Sequence, residues 1–433
     1  MKKNYGSKKR VFVAMSGGVD SSVAAALLKE RGFDVVGVHI KMWSDPSIPC
    51  NFKEDRYDAM AAAEKIGIPF QTWDFTQEYR AAVVEYMIRE YAAGRTPNPD
   101  VMCNRHIKFG VFLRRALELG ADYVATGHYV RIKTTKNPLK NRVFRGFHKI
   151  DRYPPSQVFP LYSYKRKIST GAADLRGVAP RRIFLTREIS DRPGPTAYSL
   201  YQAADKNKDQ SYFLWTLGQD QLHHCLFPIG EYTKPEVREM ARKFALPTAE
   251  KKDSQGICFI GEIDLKAFLE KYIPLQRGAV VTTAGKTVGE HEGLAFYTIG
   301  QREGLGTGGG GGIAHYVAGK NFQTNTLVVA EGPYDEKLFT REILVSDVNW
   351  ISGALPKLPL RCKARIRYRQ PLQEARIMKR KLGIMDDKKI KDSSLIPDSL
   401  FFIRFSEPQR AATPGQSAVF YKKGKILGGG VII

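Results

Sequence analysis

The segment Val11–Ser22 constrains this 433-residue chain most, because it predicts a strand, a sharp turn and a helix in direct succession. An apolar run ends at Ser16-Gly17-Gly18, and an Ala/Leu-rich stretch from Val23 to Arg31 follows at once. Such a turn leaves backbone N–H groups unpaired at a helix N-terminus, where anions bind well. Glycines let a phosphate approach closely, since they carry no Cβ. The segment therefore predicts an α/β fold with a phosphate site after its first strand.

The polar residues of this turn separate it from the common P-loop, which ends in Gly-Lys-Ser or Gly-Lys-Thr. Ser16, Ser21 and Ser22 add hydroxyl donors, and Asp20 adds a carboxylate. The stretch resembles the PP-loop of ATP pyrophosphatases, which split ATP into AMP and pyrophosphate to activate an oxygen. An ordinary glycine turn is the alternative, and it would be preferred for two glycines alone.

Strand and helix signals alternate as far as Tyr129. Three apolar runs predict further strands, at 34–43, 69–75 and 123–129. Three segments with apolar residues at helical spacing predict helices, at 55–67, 78–93 and 104–119. This repetition predicts a parallel sheet covered on both faces, with ligands at the carboxyl ends of its strands. Thr233 is expected to cap a helix over 233–243, with Pro235 in its first turn.

The rest of the chain has a different character. Residues 133–199 are rich in Lys, Arg, Pro and Tyr without a sustained period, which predicts an insertion. After Cys258 the segments shorten, five glycines stand at 308–312, and a charged excursion is expected at 379–391. Short strands are predicted at 343–348, 360–369, 399–405 and 417–421, a pattern typical of a small antiparallel barrel. We expect three domains, at 1–260, 261–335 and 336–433.

Charge and cysteine content narrow the function. The chain has 68 Lys and Arg against 44 Asp and Glu, a net charge of +24. Phosphate contacts dominate nucleic-acid affinity, so this excess predicts a polyanionic partner, with a solvated basic face as the alternative. No apolar run approaches the roughly 20 residues that span a bilayer. The five cysteines form no Cys-x-x-Cys pair, which argues against a disulfide scaffold or a zinc site and favours a reducing compartment.

The loop around Cys103 is a second candidate site. Two prolines stiffen it, and Asn104 is expected to cap the helix that follows. A cysteine at that N-terminus is expected to have a lowered thiol pKa, because basic residues follow it, Arg105, His106 and Lys108. Asp100 could transfer a proton. The alternatives are a small buried apolar residue for Cys103 and a turn residue for Asp100.

A third candidate site surrounds Cys258. This cysteine follows a polar turn that contains Gly256, and two lysines precede it, Lys251 and Lys252. Glycine permits movement, and nearby cations favour a thiolate. The alternative is a strand cysteine that faces the core, between Ile257 and Phe259.

Eight motifs in this order resemble the tRNA-specific 2-thiouridylases. They are Ser16–Ser21, Asn98–Cys103, Ala125–Tyr129, Lys208–Tyr212, Gly256–Gly261, Thr298–Arg302, Arg367–Gln370 and Pro414–Tyr421. The resemblance implies a PP-loop domain of the adenine nucleotide alpha hydrolase type, a small central tRNA-binding domain and a C-terminal β-barrel. It also implies ATP-dependent transfer of persulfide sulfur to C2 of the wobble uridine of tRNA, through an adenylated base.

The resemblance further implies roles for single residues. Cys258 would carry the persulfide, Cys103 would be the thiol that closes a transient disulfide with it, and Asp100 would be the acid/base group. The implied ATP-binding residues are Ala14, Met15, Ser16, Gly17, Gly18, Val19, Asp20, Ser21, Ile40 and Gly127, with Mg²⁺ as a counter-ion and no metal held by the protein. The implied tRNA-binding residues are Asn98, Pro99 and Asp100 at the target base, and His128, Lys208, Asp209, Gln210, Arg367, Tyr368 and Gln416.

Partners and location follow from the same resemblance. It implies tRNAs of the Lys, Glu and Gln type, a sulfur-donor protein, no membrane, and a mitochondrial or otherwise cytoplasmic location. A PP-loop ligase or amidotransferase acting on a small acid is an alternative, which would leave Cys103, Cys258 and the charge unexplained. A non-catalytic RNA-binding protein that keeps the loop is another. Taken alone, His128 would be a core histidine, Arg367 and Tyr368 a solvated strand face, and Gln416 a turn residue.

Overall fold

The N-terminal part of the chain is built on a five-stranded parallel sheet. The computed structural model describes residues 8–45, 51–134, 197–252, 265–307, 313–379 and 400–433. The sheet comprises β1 (Arg10–Ala14), β2 (Asp34–Lys41), β3 (Phe70–Asp74), β4 (Tyr123–Ala125) and β7 (Cys225–Leu226), in the order β3-β2-β1-β4-β7. Strand β1 is central and buried, as its apolar residues predict. The parallel α/β prediction is confirmed.

Helices cover this sheet. Helix α1 (Val19–Glu30) follows β1 directly, and α2 (Phe52–Ile66) ends at Gly67. A longer helical segment runs through Thr76–Tyr79, Arg80–Val84 and Glu85–Ala92, of which the middle piece is π-helical. Further short helices are Gln219–Leu222, Lys234–Lys243 and Leu265–Leu269. Thr233 caps Lys234–Lys243, as the sequence predicts, in a capping box with Glu236.

The helical segment after the Cys103 loop begins earlier than its sequence predicts. It runs through Pro99–Met102, the π-helical Cys103–Val111 and Phe112–Glu118. Asn98 is the N-cap, and its Oδ1 accepts from the Val101 backbone N–H at 3.3 Å. The prediction that Asn104 caps this helix is wrong, because Asn104 is buried and its Nδ2 donates to the Phe213 carbonyl at 3.3 Å. Cys103 therefore lies beyond the first turn rather than at the N-terminus.

A β-hairpin brackets most of the predicted insertion. Strands β5 (Val130–Thr134) and β6 (Tyr198–Gln202) pair antiparallel, with Thr134 opposite Tyr198. The regular fold thus extends at both ends into the range 133–199. Residues 135–196 lie outside the described part of the chain, as do the glycines at 308–312 and the charged excursion from residue 380 onward.

Two β structures complete the chain. The central one is a four-stranded sheet of β8 (Gly278–Thr282), β9 (Thr287–His291), β10 (His315–Asn321) and β11 (Thr326–Glu331). The C-terminal one has six antiparallel strands, β12 (Phe339–Trp350), β13 (Leu360–Arg365), β14 (Gln373–Lys379), β15 (Phe401–Arg410), β16 (Ser417–Lys422) and β17 (Lys425–Ile432). Strand β12 pairs with both β15 and β17, which closes the predicted barrel.

Two barrel details differ from the sequence prediction. Strands β14 and β17 were not predicted, and the strand expected over 360–369 ends at Arg365. Arg367 and Tyr368 consequently occupy the turn after β13 rather than a strand face. Among the helices that the structure describes, none has the length and apolar character needed to cross a membrane.

Candidate active site

The serines of the turn after β1 close the first turn of α1. Ser21 Oγ accepts from the backbone N–H of Ser16 at 3.2 Å and donates to the Gly18 carbonyl at 3.2 Å. Ser22 Oγ donates to the same carbonyl at 2.9 Å. Gly18 is the N-cap and has no side chain to cap with, so these hydroxyls order the turn. The first N–H groups of a helix have no partner within it, which leaves them available to an anion.

Two glycines bring neighbouring elements against this turn. Gly17 has φ +82°, and a Cβ there would lie 2.2 Å from the carbonyl oxygen of Asp55 on α2. A Cβ on Gly127, which follows β4, would lie 2.7 Å from the Ser21 backbone nitrogen and 2.8 Å from the Asp20 carbonyl carbon. The structure therefore brings Gly127 against the start of α1, where the sequence predicts the nucleotide.

The carboxylate of Asp20 is held by Tyr129, which ends the motif Ala125–Tyr129, and by Lys234, to which the sequence assigned no role. Its Oδ1 accepts from Tyr129 OH at 2.8 Å and from Lys234 Nζ at 2.7 Å. Lys234 is the first residue of its helix, and only 10% of its side chain is exposed. A carboxylate beside a polyphosphate needs a compensating cation, and Lys234 supplies one.

The residues on the sheet side of the turn belong to the core. Met15 is 1% exposed and Ile40 is 6% exposed. The Met15 carbonyl contacts His39 Nδ1 at 2.9 Å, and the Met15 N–H donates to the Val38 carbonyl at 2.8 Å. Burial lowers the pKa of His39, although the Met15 contact opposes this shift. Met15 and Ile40 thus form the apolar floor beneath the turn.

The chain leading to Cys258 is tied to α2. Lys251 Nζ donates to Asp55 Oδ1 at 2.7 Å and to Asp58 Oδ2 at 2.5 Å. Burial opposes the charge of Lys251, but these two carboxylates outweigh it and raise its pKa. The sequence predicted that Lys251 favours a thiolate at Cys258. Its charge is shared by two aspartates, and because Cys258 lies outside the described residues, the effect of Lys251 on that thiol stays a prediction.

Beyond the segment that carries Cys258, the chain is again fixed beside the sheet. Lys271 Nζ donates at 2.9 Å to Asp45, whose side chain is buried, and Phe268 packs on Trp43 with ring centroids 6.0 Å apart. Asp45 and Trp43 both follow β2. Cys258 and Gly256 themselves lie outside the described residues, as does Cys50.

Cys103 lies in the hydrophobic core, with 1% of its surface exposed. Asp100 stands three positions before it in the same helical segment, a spacing that places two side chains on one face. Asn98, which caps this segment, is 7% exposed. The structure thus unites Asn98, Pro99, Asp100 and Cys103 in the cap and first turns of one helix. The lowered thiol pKa of Cys103 stays a prediction.

His128 is enclosed by the fold. It is 7% exposed, its Nδ1 contacts Thr126 Oγ1 at 2.8 Å, and its ring lies 5.9 Å from that of Phe109 and 6.4 Å from that of Phe227. Burial lowers its pKa well below the usual value. A role in tRNA binding stays a prediction for this buried, neutral ring.

The motif that begins at Lys208 is also used to hold the fold. Asp209 is 2% exposed and accepts from the backbone N–H groups of Ala203 and Ser211 at 3.1 and 3.2 Å. The Gln210 side chain accepts from the Tyr129 N–H at 2.9 Å, and the Gln210 N–H donates to the Tyr129 carbonyl at 3.0 Å. Lys208 is partly exposed. These contacts tie the motif to the loop after β4.

The predicted tRNA-binding residues of the barrel lie where it meets the rest of the chain. Arg367 Nη2 donates to the Ile299 carbonyl at 3.2 Å and to the Ala411 carbonyl at 2.9 Å, and burial lowers its pKa. The Tyr368 ring packs on Phe213, with centroids 4.6 Å apart. Gln416 Nε2 donates to two carbonyls of the loop before Asn98, those of Thr96 and Pro97.

Family models match most of the chain. The model described as "tRNA methyl transferase HUP domain" matches residues 9–151 and 190–262, and the "tRNA methyl transferase PRC-barrel domain" matches 266–331. The "Aminomethyltransferase beta-barrel domain" matches 340–391 and 386–432.

Curated relatives match over almost their whole length. The tRNA-specific 2-thiouridylase MnmA of Geobacillus thermodenitrificans is 41% identical over 425 residues, covering 98% of this chain and 94% of the relative. The MnmA proteins of Streptococcus mutans and Paraburkholderia phymatum are both 42% identical over 431 residues, covering 98% of this chain and 95% and 94% of those proteins. The chain belongs to the tRNA-specific 2-thiouridylase family. These relatives align over nearly their full length, so the family is assigned from them and not from the methyl-transfer wording of the domain descriptions.

Solved structures are less similar to this 2-thiouridylase family member. The thiolase NcsA from Methanococcus maripaludis is 22% identical with a TM-score of 0.21, covering 29% of this chain and 41% of its own. The NMN synthetase from Francisella tularensis is 20% identical with a TM-score of 0.20, covering 28% and 46%. Likeness at this level carries no functional conclusion.

Several residues that shape the site of this 2-thiouridylase family member were missed by sequence reasoning. Lys234, Tyr129 and Lys320 each reach across to an element distant in sequence, and no local pattern shows where such a side chain points. Two signals were present in the sequence: the cap at Thr233 predicts the helix that carries Lys234, and Tyr129 ends the motif Ala125–Tyr129.

Proposed function

We propose that this chain is an ATP-dependent tRNA-uridine 2-sulfurtransferase. Its turn after β1 binds ATP, and its substrate is a uridine of tRNA whose C2 oxygen is replaced by sulfur. The single observation that carries the proposal is near-full-length identity of 41–42% to proteins named tRNA-specific 2-thiouridylase. The two cysteine motifs and the net charge of +24 are consistent with that chemistry.

The proposed reaction has two stages. The uracil C2 oxygen attacks the α-phosphate of ATP, and pyrophosphate leaves. This adenylation allows the oxygen to be replaced, because AMP is a far better leaving group than a carbonyl oxygen. The terminal sulfur of a Cys258 persulfide then attacks C2, and AMP departs. The Cys103 thiolate attacks the Cys258 sulfur, which releases the thiouridine and leaves a Cys103–Cys258 disulfide. Asp100, on the helix that carries Cys103, is the acid/base group of this reaction.

The geometry of the turn after β1 supports ATP binding. The start of α1 offers backbone donors, and Gly127 approaches it so closely that any Cβ would fill the space. Lys234 offsets the Asp20 carboxylate, so the turn does not present an unbalanced negative charge to a triphosphate. Ile40, near the end of β2, offers an apolar side chain for contact with the adenine ring of ATP.

A basic patch on the barrel supports tRNA binding. Four exposed cations surround a shallow hollow there, Lys357, Arg361, Arg376 and Lys422. Arg361 and Arg376 are direct register partners on β13 and β14, and like charges opposite each other weaken a sheet. Within the part of the chain that the structure describes, none of the four forms an ion pair with a carboxylate. A polyanion bound here would relieve that repulsion.

The patch can be tested through salt dependence. Removal of one phosphate-binding cation lowers the slope of log affinity against log salt by about 0.7–0.9. Arg361→Ala with Arg376→Ala is expected to lower the slope for tRNA by about 1.4–1.8. Lys363→Ala is the matched control, since Lys363 lies on the same strand and pairs with Glu374 at 3.2 Å. An unchanged slope in the double variant would show that tRNA binds elsewhere.

The sulfur chemistry can be tested with cysteine variants. Cys103→Ser and Cys258→Ser are each expected to abolish 2-thiouridine in tRNA, measured by nucleoside mass spectrometry, while ATP binding persists. Cys225→Ser is the control, because the Cys225 thiol is buried and donates to the Gln221 carbonyl at 3.0 Å, as a serine could. A wild-type level of 2-thiouridine in tRNA from both site variants would disprove the proposed mechanism.

The finer assignments stay proposals. They are tRNAs of the Lys, Glu and Gln type, a sulfur-donor protein, Mg²⁺ beside ATP and a mitochondrial location. Domains at 1–260, 261–335 and 336–433, of which the central one binds tRNA, are proposed on the same basis.

A further inference from the structure

We infer that Gln416 is a positioning residue for the loop that precedes Asn98. This inference rests on the proposed function, in which Asn98, Pro99 and Asp100 contact the target base. The loop of residues 94–97, here called the base loop, leads directly into the helix that carries Asp100 and Cys103. Gln416 comes from the barrel, immediately before β16.

The barrel contacts the base loop at several atoms. Gln416 Nε2 donates to the Thr96 carbonyl and to the Pro97 carbonyl, both at 2.9 Å. The Thr96 N–H donates to the Pro414 carbonyl at 2.8 Å. Gly415 has φ +91°, and a Cβ there would lie 2.7 Å from the Thr96 carbonyl oxygen. The base loop therefore lies in backbone contact with residues 414–416.

The central sheet contacts the base loop as well. Lys320 Nζ, on β10, donates to the Gly94 carbonyl at 2.9 Å. Thr298 Oγ1 and Thr96 Oγ1 lie 3.2 Å apart. The loop is thus held by two parts of the chain that lie more than two hundred residues away in sequence.

Gln416 could either position the base loop or contact tRNA directly, and its hydrogen bonds bear on this choice. A carboxamide has two N–H donors, and the contacts of Nε2 account for both of them. In the protein without tRNA, both donors of Gln416 therefore act on the base loop, which favours a positioning role. A shift of about 1 Å in a group that positions substrate can lower the rate 100-fold. Gln416 can therefore affect the rate of thiolation through the base loop without touching the substrate itself.

Gln416→Met tests the inference, because methionine has a similar length and no donor. We expect kcat for thiolation to fall about 10- to 100-fold, with KM for tRNA within about twofold of wild type. In the protein without tRNA, amide hydrogen exchange over 94–98 is expected to rise. Gln373→Met is the matched control on β14, where the side chain makes only a local 3.4 Å contact to the Pro371 carbonyl. Gln373→Met is expected to leave kcat, KM for tRNA and the amide exchange over 94–98 unchanged.

A raised KM with unchanged kcat and unchanged exchange would overturn the inference and make Gln416 a direct tRNA contact. Lys320→Met approaches the same loop from the central sheet and is expected to give the same pattern as Gln416→Met. If wild type forms no thiouridine, the proposed function fails, whereas the exchange measurement still tests whether Gln416 holds the base loop.

Discussion

Gly127→Ala is the sharpest test of the proposed nucleotide site. The new Cβ would lie 2.7 Å from the Ser21 nitrogen and 2.8 Å from the Asp20 carbonyl carbon. Both neighbours are backbone atoms at the start of α1, so no side chain can rotate away to make room. The φ of Gly127 is not in the left-handed region, so the effect comes from contact and not from backbone strain.

The size of the effect follows from the distances. An ordinary contact is about 3.4 Å, so the start of α1 must move by about 0.7 Å. An N–H···O bond of about 2.9 Å lengthened by that amount is no longer a hydrogen bond. Hydrogen bonds to charged groups contribute about 1.5–3 kcal/mol each, so losing one lowers ATP affinity about 10- to 150-fold. The crowding itself lowers the unfolding free energy by about 1–3 kcal/mol.

Calorimetric titration with ATP and urea unfolding measure the two effects separately. Gly319→Ala is the control, because its nearest neighbour would be Val328 Cβ at an ordinary 3.8 Å. It is expected to leave ATP affinity unchanged. A folded Gly127→Ala protein that binds ATP as tightly as wild type would refute the argument that Gly127 shapes the phosphate site.

Three further predictions concern titration and charge. Burial lowers the pKa of His39 and of His128, so unfolding takes up protons below pH 6.5, and the unfolding free energy should fall there by up to about 1.4 kcal/mol per pH unit for each histidine; a flat urea-unfolding profile from pH 7 to 5 would contradict this. Burial lowers the pKa of Lys320 from 10.5 to about 8, so the folded protein loses this proton before the unfolded chain does. The stability of wild type relative to Lys320→Met should therefore rise by roughly 2–3 kcal/mol between pH 8 and 10.5, and a constant difference would disprove it. Lys251→Met leaves Asp55 and Asp58 without their shared cation and should lower the unfolding free energy by about 1 kcal/mol, whereas the exposed Lys252→Met should not; equal effects in urea would argue against the pairing.

The turn after β1 could be predicted from sequence because its signal is local. An apolar strand, two glycines and a helix-forming stretch lie next to each other, and each propensity agrees with the fold. The capped helix that begins after Thr233 was predictable for the same reason, although the bonds to Glu236 were not predicted. The barrel followed from its alternating short strands, although two of the six were missed.

The missed features depend on contacts between distant parts of the chain. Strand β17 contains Gly428, Gly429 and Gly430, which disfavour a strand on propensity alone, but the Trp215 ring packs where a Cβ on Gly429 would lie. The helix that carries Cys103 starts at Pro99 because Asn98 caps it, and Asn104 instead turns inward to the Phe213 carbonyl. The base loop is likewise held by Gln416 and Lys320, which no spacing within the loop could indicate.

The hairpin of β5 and β6 has a consequence for how this chain can vary. Thr134 and Tyr198 are register partners, so the end of β5 and the start of β6 lie at adjacent points. The free-energy cost of closing a loop grows only slowly with its length, by about 0.6 kcal/mol for each doubling. Material can thus be gained or lost at this position over evolution while the hairpin stays paired. An insertion at this position is therefore expected to leave the pairing of β5 with β6 intact.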